Sequence, residues 1–429
     1  MSAPRRPLLA WVPTLYLAMG LPNVMVGVVA AIVYKNLGVD NETIALATSQ
    51  LYLPWVLKPL WAPLLEAWRS KRWWVISMEF TMAGLLGLVA LSLPLEGFFR
   101  LSLWLFWMIG FASATQDTVA DGVFMGTATP REQARYAGLQ GMCWNLGAVL
   151  GSGLLVSLTG WLHEAHGLPW VQCWMLVMGL AGTLMALAGV WHWRVLPAGA
   201  LAPLQARGAA DAWRAVREAW ASFFAKPAIW PMLTVVFFYR FGEGFIEKFG
   251  PLFLLDARSA GGLGLDNAAL GTLAGTIGTL AFIAGAFAGG AVVARFTLRR
   301  SFLWLALALN LPHLTYFWLS QAMPTEMVSI GALVALEKFG FGMGSVGHML
   351  YMMQQVSPGP FRMAHYAMAT GVMAMTKWAT GTASAALWAA CGHAYPLFFG
   401  AVLLLSVPPI WLAWRAPFPH ATEPDEADR

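Results

Sequence analysis

Two aspartates stand four residues apart in the segment ATQDTVADG at 114–122, directly after an uncharged apolar run. Positions i and i+4 share one face of a helix, so Asp117 and Asp121 are predicted to lie side by side. Keeping both carboxylates ionised in a site of low dielectric costs free energy, so one of them, Asp117, could carry a proton. It could equally be a static ion-pair partner for Lys58 or for the basic loop that contains Arg69, Lys71 and Arg72. Asp121, nearer the helix end, is predicted to be a gate or structural charge.

Further charged residues interrupt other apolar stretches: Lys58, Glu79, Arg240, Glu243, Glu247, Lys248, Glu337, Lys338 and Lys377. A charge inside a membrane costs at least about 2.5 kcal/mol, so each is expected to face protein or water and to have a partner. At a rise of about 1.5 Å per residue, four of them fall at similar depth in their helices: Lys58, Arg240, Glu337 and Lys377. The shared depth predicts one central water-filled cavity.

Arg240, Glu243 and Glu247 have the spacing i, i+3, i+7 and share one helical face. Arg240 could neutralise Glu243 within the helix, or the group could handle cargo or a proton. The neighbours Glu337 and Lys338 point about 100° apart, so they are not expected to pair, and Glu337 is predicted to face the cavity. Glu79 is predicted to be a lipid-edge or packing residue with a local partner.

Several kinds of chemistry find no support in the sequence. There is no P-loop GxxxxGK[ST], no Gly-x-Ser-x-Gly elbow and no HExxH pair. The histidines in apolar stretches have no metal-ligand spacing, and the cysteines Cys143, Cys173 and Cys391 all lie in apolar stretches, so neither a metal site nor a disulfide is expected. We therefore expect no enzyme activity, no cofactor and no ATPase subunit, and an ion gradient, protons first, as the energy source.

The elements that position these residues follow from composition. Hydrophobic residues make up 59% of the 429 residues and charged residues only 11%, whereas a soluble protein carries about 25% charge. Apolar runs long enough to cross a bilayer recur along the chain. They predict an all-α polytopic membrane protein with twelve spans, numbered here span 1 to span 12, at about 9–34, 43–66, 73–94, 101–125, 135–162, 170–193, 228–255, 267–293, 301–321, 327–354, 362–390 and 394–414.

The basic residues fix an orientation. With both termini in the cytoplasm, only Lys35, Arg100 and Arg258 fall on the outer side. The inner side collects Arg5, Arg6, Arg69, Lys71, Arg72, Arg131, Arg135, Arg194, Arg207, Arg214, Arg217, Lys226, Arg295, Arg299, Arg300, Arg362, Arg415 and Arg429. This asymmetry follows the positive-inside rule. It accounts for the net charge of +5 without a nucleic-acid partner.

The chain is predicted to form two six-helix bundles, at 1–193 and 228–415. A cytoplasmic linker at 194–227 joins them and contains an amphipathic stretch, DAWRAVREAWASFF. The chain ends in an acidic cytoplasmic tail at 416–429. A short basic loop follows both span 2 and span 8, which indicates parallel repeats of the kind found in major facilitator transporters. Glycines spaced as small-xxx-small in spans 5 and 8 predict close helix contacts: Gly147, Gly151, Gly271, Gly275, Gly285 and Gly289. The pair Gly20 and Pro22 predicts an unwound or kinked span 1.

The polar motifs also carry a family resemblance. They are Gly20-Leu21-Pro22, Lys58-Pro59-Leu60-Trp61-Ala62-Pro63-Leu64, Gln116-Asp117 with Asp121, the Arg-Phe-Gly-Glu group at 240–243, Glu337, Gly342-Met343-Gly344 and Lys377. By these the chain resembles the AmpG-type permeases, muropeptide importers of the major facilitator superfamily. The resemblance implies proton-coupled import of a peptidoglycan fragment across the bacterial inner membrane. Two features depart from it: Glu66 stands where an aspartate is usual, and Glu247-Lys248 adds charge.

We therefore hypothesise three groups of site residues in a monomeric carrier embedded in the lipid bilayer. Cargo would contact Trp55, Lys58, Arg240, Glu243 and Glu337; Asp117 and Glu247 would couple to protons; the gates would be Glu66, Arg72, Asp121 and Lys377. Mixed charges suit a sugar-peptide, and a siderophore or another amphiphilic carboxylated molecule is the alternative cargo. Drug efflux, disfavoured because span 5 has no proline, and a transport-dead receptor are the remaining alternatives.

Overall fold

The computed structural model describes residues 7–39, 43–44, 47–48, 50–197, 208–265 and 267–420. Arg5, Arg6, Arg207, Arg429, the linker segment 198–207 and the tail from 421 onwards lie outside the described residues. Helices make up nearly all of the described chain, which contains no β-strand. The all-α prediction is confirmed, because apolar residues that have no water to satisfy their backbone must form internal hydrogen bonds.

Nine helices in the described part of the chain are long and apolar enough to cross a membrane. They are span 1 (Leu8–Asn36), span 3 (Lys71–Ser92), span 4 (Phe98–Thr127), span 5 (Pro130–His166), span 6 (Trp170–Val195), span 8 (Thr272–Phe296), span 9 (Leu298–Ala322), span 10 (Met327–Val356) and span 12 (Tyr395–Trp414). The other three predicted spans are helical as well. Span 11 is the helix Arg362–Ala390, and spans 2 and 7 are interrupted.

Prolines and charges explain the interruptions. Span 2 consists of the short helices Leu53–Leu57 and Ala62–Ala67 with a 3₁₀ turn at Lys58–Leu60 between them, since each of its prolines removes a backbone donor. Span 7 consists of Ile229–Phe238 and Phe241–Leu255, with Arg240 in a non-helical conformation where they meet. Both interruptions thus fall at an intramembrane cation.

The helix of span 1 does not unwind at Gly20 and Pro22. Its helix continues through Pro22, and the irregularity is a π-helical turn at Met25–Val29 just beyond. Gly20 serves close packing instead, because a Cβ there would lie 2.0 Å from the carbonyl oxygen of Trp144 in span 5.

The described chain divides into two compact units. Unit 1 comprises Met1–Ala128, Leu139–Trp220 and Pro360–Ala367, and unit 2 comprises Thr129–Gly138, Ala221–Gly359 and Met368–Arg429. In unit 1, spans 1, 3, 4 and 6 pack around Phe106, Trp174 and Met178. In unit 2, spans 7, 9 and 12 pack around Phe253, Tyr316 and Phe398.

The amphipathic stretch of the linker forms the helix Ala209–Phe224. Within unit 1, its buried Ala215 and Ala219 pack against small residues of span 2 and the start of span 11, among them Ala67 and Ala364. The Nε2 atom of His365 lies 3.1 Å from the Ala219 carbonyl oxygen. One face of this helix therefore packs against spans 2 and 11.

The glycines of span 8 divide into two kinds. A Cβ at Gly285 would lie 2.0 Å from the carbonyl oxygen of Phe339, and one at Gly289 would lie 2.6 Å from that of Met343, both in span 10. At Gly275 a Cβ would meet open space. Gly285 and Gly289 therefore contribute to the close approach of span 8 to span 10, whereas Gly275 does not.

Replacing Gly285 by Ala should lower the stability of the protein by about 1–3 kcal/mol, because the new methyl group would force two backbones apart. The matched Gly275→Ala variant should be neutral or stabilising by up to about 1 kcal/mol, since alanine favours a helix over glycine. Thermal unfolding in detergent measures both. Equal effects from the two variants would contradict the packing difference.

Lys226 lies in the short connection between the linker helix and span 7. Its Nζ donates to the carbonyl oxygen of Val356 at 2.5 Å and lies 5.4 Å from the ring centroid of Phe223. Burial lowers the pKa of Lys226 to about 7.

The lowered pKa predicts a pH dependence of stability. Above pH 7 the unfolded chain keeps a proton on Lys226 that the folded chain has released, so stability should rise from about pH 7 towards pH 10. The Lys226→Met variant should lack this part of the rise, measured as melting temperature against pH. An unchanged pH profile in the variant would show that Lys226 stays charged when folded.

Candidate functional site

Lys58 and Asp117 form an ion pair inside unit 1. The Lys58 residue is 6% exposed, and its Nζ lies 2.5 Å from Asp117 Oδ2. Lys58 starts the 3₁₀ turn of span 2, and Trp61, at the end of that turn, donates from its indole N–H to Thr115 Oγ1 at 3.1 Å, so the turn is fixed to span 4. The geometry matches the static ion-pair alternative for Asp117.

Trp55 lies one helical turn before Lys58. It contacts the Tyr52 ring at a centroid distance of 5.7 Å and packs close to Gly110 of span 4. It is only partly buried. An indole held in this way offers a flat apolar face beside an ion pair, which suits a sugar or an aromatic ring.

Asp121 has a partner of its own. The hydroxyl of Tyr16 in span 1 donates to Asp121 Oδ1 at 2.8 Å, and Asp121 is 8% exposed. The two aspartates share a helix face as predicted, but Asp117 contacts span 2 and Asp121 contacts span 1. Each carboxylate thus fixes span 4 to a different neighbour.

Glu66, at the end of span 2, binds the start of span 11 within unit 1. Its carboxylate accepts hydrogen bonds from the backbone N–H of Met363 at 3.3 Å and of Ala364 at 3.0 Å, and Lys71 Nζ lies 3.9 Å away. Free amides and the helix dipole make a helix N-terminus a good site for a carboxylate. Glu66 is therefore positioned to hold or release that first turn.

The other predicted gating residues lie in separate places. The guanidinium of Arg72 donates to the carbonyl oxygen of Trp193 near the end of span 6. Lys377 pairs with Glu247 at 2.6 Å in unit 2, where both side chains are largely exposed. The residues grouped by the gating hypothesis thus make four different contacts.

Unit 2 buries a cluster of ionisable side chains. Lys338 Nζ lies 3.0 Å from Glu337 Oε2 and 3.7 Å from Glu243 Oε1. His313 Nε2 lies 3.3 Å from Glu243 Oε2, and His313 Nδ1 lies 2.8 Å from Ser406 Oγ. Glu243 is 2% exposed, and Glu337 and His313 are fully buried.

This cluster corrects two predictions. Glu337 and Lys338 do pair, because the long lysine side chain bends back across the turn toward a fully buried carboxylate that has to be neutralised. Glu337 does not face an open cavity either, since it is 0% exposed. His313 also interacts with Glu243, which sequence spacing could not reveal.

Arg240 lies at the interruption of span 7 and has a different environment. Its guanidinium stands 4.6 Å from the ring centroid of Phe341, and one of its nitrogens lies 3.9 Å from Met373 Sδ. Among the described residues no carboxylate lies within 4 Å of Arg240. Arg240 and Glu243 thus form no direct ion pair, although they still interact electrostatically, and this guanidinium keeps donors for another anion.

Glu79 is not at the lipid edge. It is fully buried in unit 1, where its Oε1 accepts from the Gln116 amide at 3.0 Å and lies 2.7 Å from His192 Nδ1. The second ring nitrogen of His192 lies 3.0 Å from Thr14 Oγ1. Of the two predicted roles, Glu79 therefore has that of a packing residue with a nearby partner. The sequence did not reveal that His192 is one of its partners, because the two residues lie far apart in the chain.

The Lys58–Asp117 pair predicts a strong, non-additive effect of mutation. Lys58→Met should cost on the order of 3 kcal/mol, because it leaves a buried carboxylate without its cation, and Asp117→Asn in the same chain should recover part of that loss. Arg214→Met, which breaks the exposed pair with Asp211 on the linker helix, is the control and should cost under about 1 kcal/mol. Thermal unfolding of all variants in detergent gives the comparison. Equal costs for the buried and the exposed pair would contradict the assignment.

Residues 14–386 match the family model described as Major Facilitator Superfamily. Among curated relatives, the anhydromuropeptide permease of Escherichia coli (strain K12) is 24% identical over 368 residues, which cover 82% of this chain and 68% of that protein. A protein named putative transporter AmpG 4, from Rickettsia conorii, is 22% identical over 348 residues, or 78% of each chain.

Solved structures agree on the fold. The transporter FucP in the outward conformation matches with a TM-score of 0.71 at 14% identity, covering 95% of this chain and 98% of that one. A bacterial homologue of the iron transporter ferroportin in the outward-facing state matches with a TM-score of 0.65 at 13% identity, with the same coverage. These identities are low, so the two structures support the arrangement of helices alone.

Proposed function

The chain belongs to the major facilitator superfamily and is a multi-pass membrane transporter, and from this premise we propose that it imports a peptidoglycan fragment by proton symport. The cargo class is taken from the relative named anhydromuropeptide permease. The membrane would be the bacterial inner membrane, with both termini in the cytoplasm. The energy would come from the proton gradient, with no bound cofactor.

The observation that carries the proposal is Arg240. Its guanidinium lies at the interruption of span 7 and forms no ion pair with a carboxylate in the described part of the chain. A guanidinium in this position can bind an anionic group of a cargo. Arginine binds carboxylates through paired N–H donors. The peptide part of a muropeptide carries free carboxylates, and a sugar could stack on Trp55.

Glu66 supports a carrier mechanism. The Glu66 carboxylate is held on the first amides of span 11 by two hydrogen bonds, and its loss leaves that turn uncapped. Alternating access needs contacts of this kind, which are strong enough to hold one state and few enough to break.

Uptake into proteoliposomes tests the proposal. The purified chain should accumulate a radiolabelled disaccharide anhydromuropeptide when an inward proton gradient is imposed, and a protonophore should abolish the accumulation. A siderophore and an aryl carboxylate are the comparison cargoes. Accumulation of one of these but not of the muropeptide would reassign the cargo, and export of all three would overturn import.

Arg240→Met should raise the KM for the muropeptide on the order of tenfold to a hundredfold, since a hydrogen bond to a charged group is worth about 1.5–3 kcal/mol. Arg300→Met, at an exposed arginine near the start of span 9, is the matched control and should leave the KM unchanged. A muropeptide analogue whose free carboxylates are converted to amides carries no anion for Arg240 and should be insensitive to both substitutions. A normal KM in Arg240→Met would remove Arg240 from the cargo site.

Asp117→Asn tests the coupling role proposed for Asp117. If Asp117 relays the proton, the variant should exchange cargo across the membrane but fail to accumulate it against a gradient. Full gradient-driven uptake by the variant would leave Asp117 as a structural partner of Lys58.

A further inference from the structure

Besides Arg240 and Glu243, span 7 carries the charged neighbours Glu247 and Lys248. Glu247 Oε1 lies 2.6 Å from Nζ of Lys377 in span 11. Lys248 is exposed, and it forms no ion pair or hydrogen bond among the described residues. We refer to Glu247, Lys248 and Lys377 as the lysine cluster. It places two positive charges and one negative charge at the contact of spans 7 and 11, within unit 2.

A glycine of span 11 brings the two lysines onto one surface. Cε of Lys248 lies only 3.4 Å from the point where a Cβ would stand at Gly381. Gly381 follows Lys377 by four residues, so these two positions share one face of span 11. The side chain of Lys248 therefore reaches span 11 one helical turn from Lys377.

This surface faces water. The side chains of Lys377 and Glu247 are 68% and 41% exposed. Lys377 lies in the middle of the 29-residue helix Arg362–Ala390, so at about 1.5 Å per residue either helix end is about 20 Å away. That is farther than a lysine side chain can extend to reach the headgroups of the lipids. Since exposing charges to hydrocarbon is costly, the lysine cluster lies against water inside the membrane.

The lysine cluster has one positive charge in excess. Glu247 is paired with Lys377, which leaves Lys248 without a counter-charge. The excess persists when Arg240, Lys338 and the two glutamates beside Lys338 are included, because four positive charges then face three negative ones. An excess of one sign on a surface beside water raises the local concentration of the opposite ion. The surface is therefore suited to an anion.

Arg240 and the lysine cluster are separated by the length of a short peptide. Glu247 follows Arg240 by seven residues, or about 10 Å along the helix. The two side chains act on each other electrostatically, so they share one environment. An extended peptide covers about the same distance in three residues. A peptide with two suitably spaced carboxylates can thus contact Arg240 with one and Lys248 with the other.

We propose that Lys248 and Lys377 form a second anion subsite, and that the cargo bears two carboxylates about 10 Å apart, one bound at Arg240 and the other at the lysine cluster. The inference rests on the proposed function in taking the cargo to be a peptide derivative. The Glu247 carboxylate lies against Lys377 where a cargo carboxylate would bind, so it competes with the cargo for that lysine.

A pair of cargoes that differ in one charge tests the second subsite. The probes are a radiolabelled anhydromuropeptide with a four-residue peptide and the same compound with its terminal carboxylate converted to an amide. In the unmodified chain the amide should raise the KM for uptake roughly twofold to fivefold, the range for an ion pair open to water. In Lys248→Met the KM of the acid should rise by the same factor, and the amide should have no further effect.

Lys35→Met, at an exposed lysine of span 1, is the matched control and should keep the full difference between the two cargoes. An amide effect of equal size in Lys248→Met and in the unmodified chain would overturn the second subsite. The absence of any amide effect in the unmodified chain would overturn it as well.

A binding measurement without transport keeps this inference separate from the proposed function. Suberate, a linear dicarboxylate whose extended length suits the two subsites, should raise the melting temperature of the purified full chain more than succinate, which is too short to contact both. Lys248→Met should remove the difference between the two anions. Equal effects of suberate and succinate on the unmodified chain would contradict the inference whether or not a muropeptide is transported.

Glu247→Gln distinguishes a competing carboxylate from a structural one. The substitution removes the anion from Lys377, so it should lower the KM of the acid cargo roughly twofold to fivefold and strengthen the stabilisation by suberate. Loss of a merely structural ion pair would lower the melting temperature and leave both readouts unchanged or weaker. A KM that stays the same or rises in folded Glu247→Gln would overturn the competition.

Discussion

The cost of an unpaired charge away from water governs this structure. Four intramembrane cations show how this cost is met: Lys58 pairs with Asp117, Lys338 with two glutamates and Lys377 with Glu247, while Arg240 stands over an aromatic ring. The desolvation penalty of a buried ion is several kcal/mol, so each of these contacts constrains the helices that supply it. The 3₁₀ turn of span 2 and the interruption of span 7 both fall at one of these cations.

The same constraint explains why the two units differ in chemistry although their helices follow one order. Unit 1 balances Glu79 with an amide and an imidazole, whereas unit 2 gathers two carboxyl groups around one lysine. Lys338 therefore faces two carboxyl groups at once, and His313 lies beside one of them.

Helix contacts provide the frame for these clusters. The carbonyl oxygens of Phe339 and Met343 lie where the side chains of Gly285 and Gly289 would be, so span 8 approaches span 10 at backbone distance. At the start of span 11, the carboxylate of Glu66 accepts hydrogen bonds from backbone amides that have no partner within the helix. A glycine contact is fixed by geometry, whereas a carboxylate on a helix end can be released. A carrier needs both kinds.

The sequence by itself determined the helical fold, the approximate spans, the superfamily resemblance and which residues carry intramembrane charge, since these follow from composition, periodicity and local motifs. It offered an ion pair of Lys58 with Asp117 as one of two alternatives, and the structure contains that pair. The prediction that Glu337 and Lys338 do not pair was wrong, because helix geometry does not determine how far a lysine side chain bends to reach a buried anion. Only the tertiary structure decided that His313 meets Glu243, that His192 meets Glu79, and that Arg240 has no carboxylate beside it among the described residues. Such contacts join residues about 70 to 110 positions apart, and they depend on side-chain rotamers and packing that no local pattern encodes.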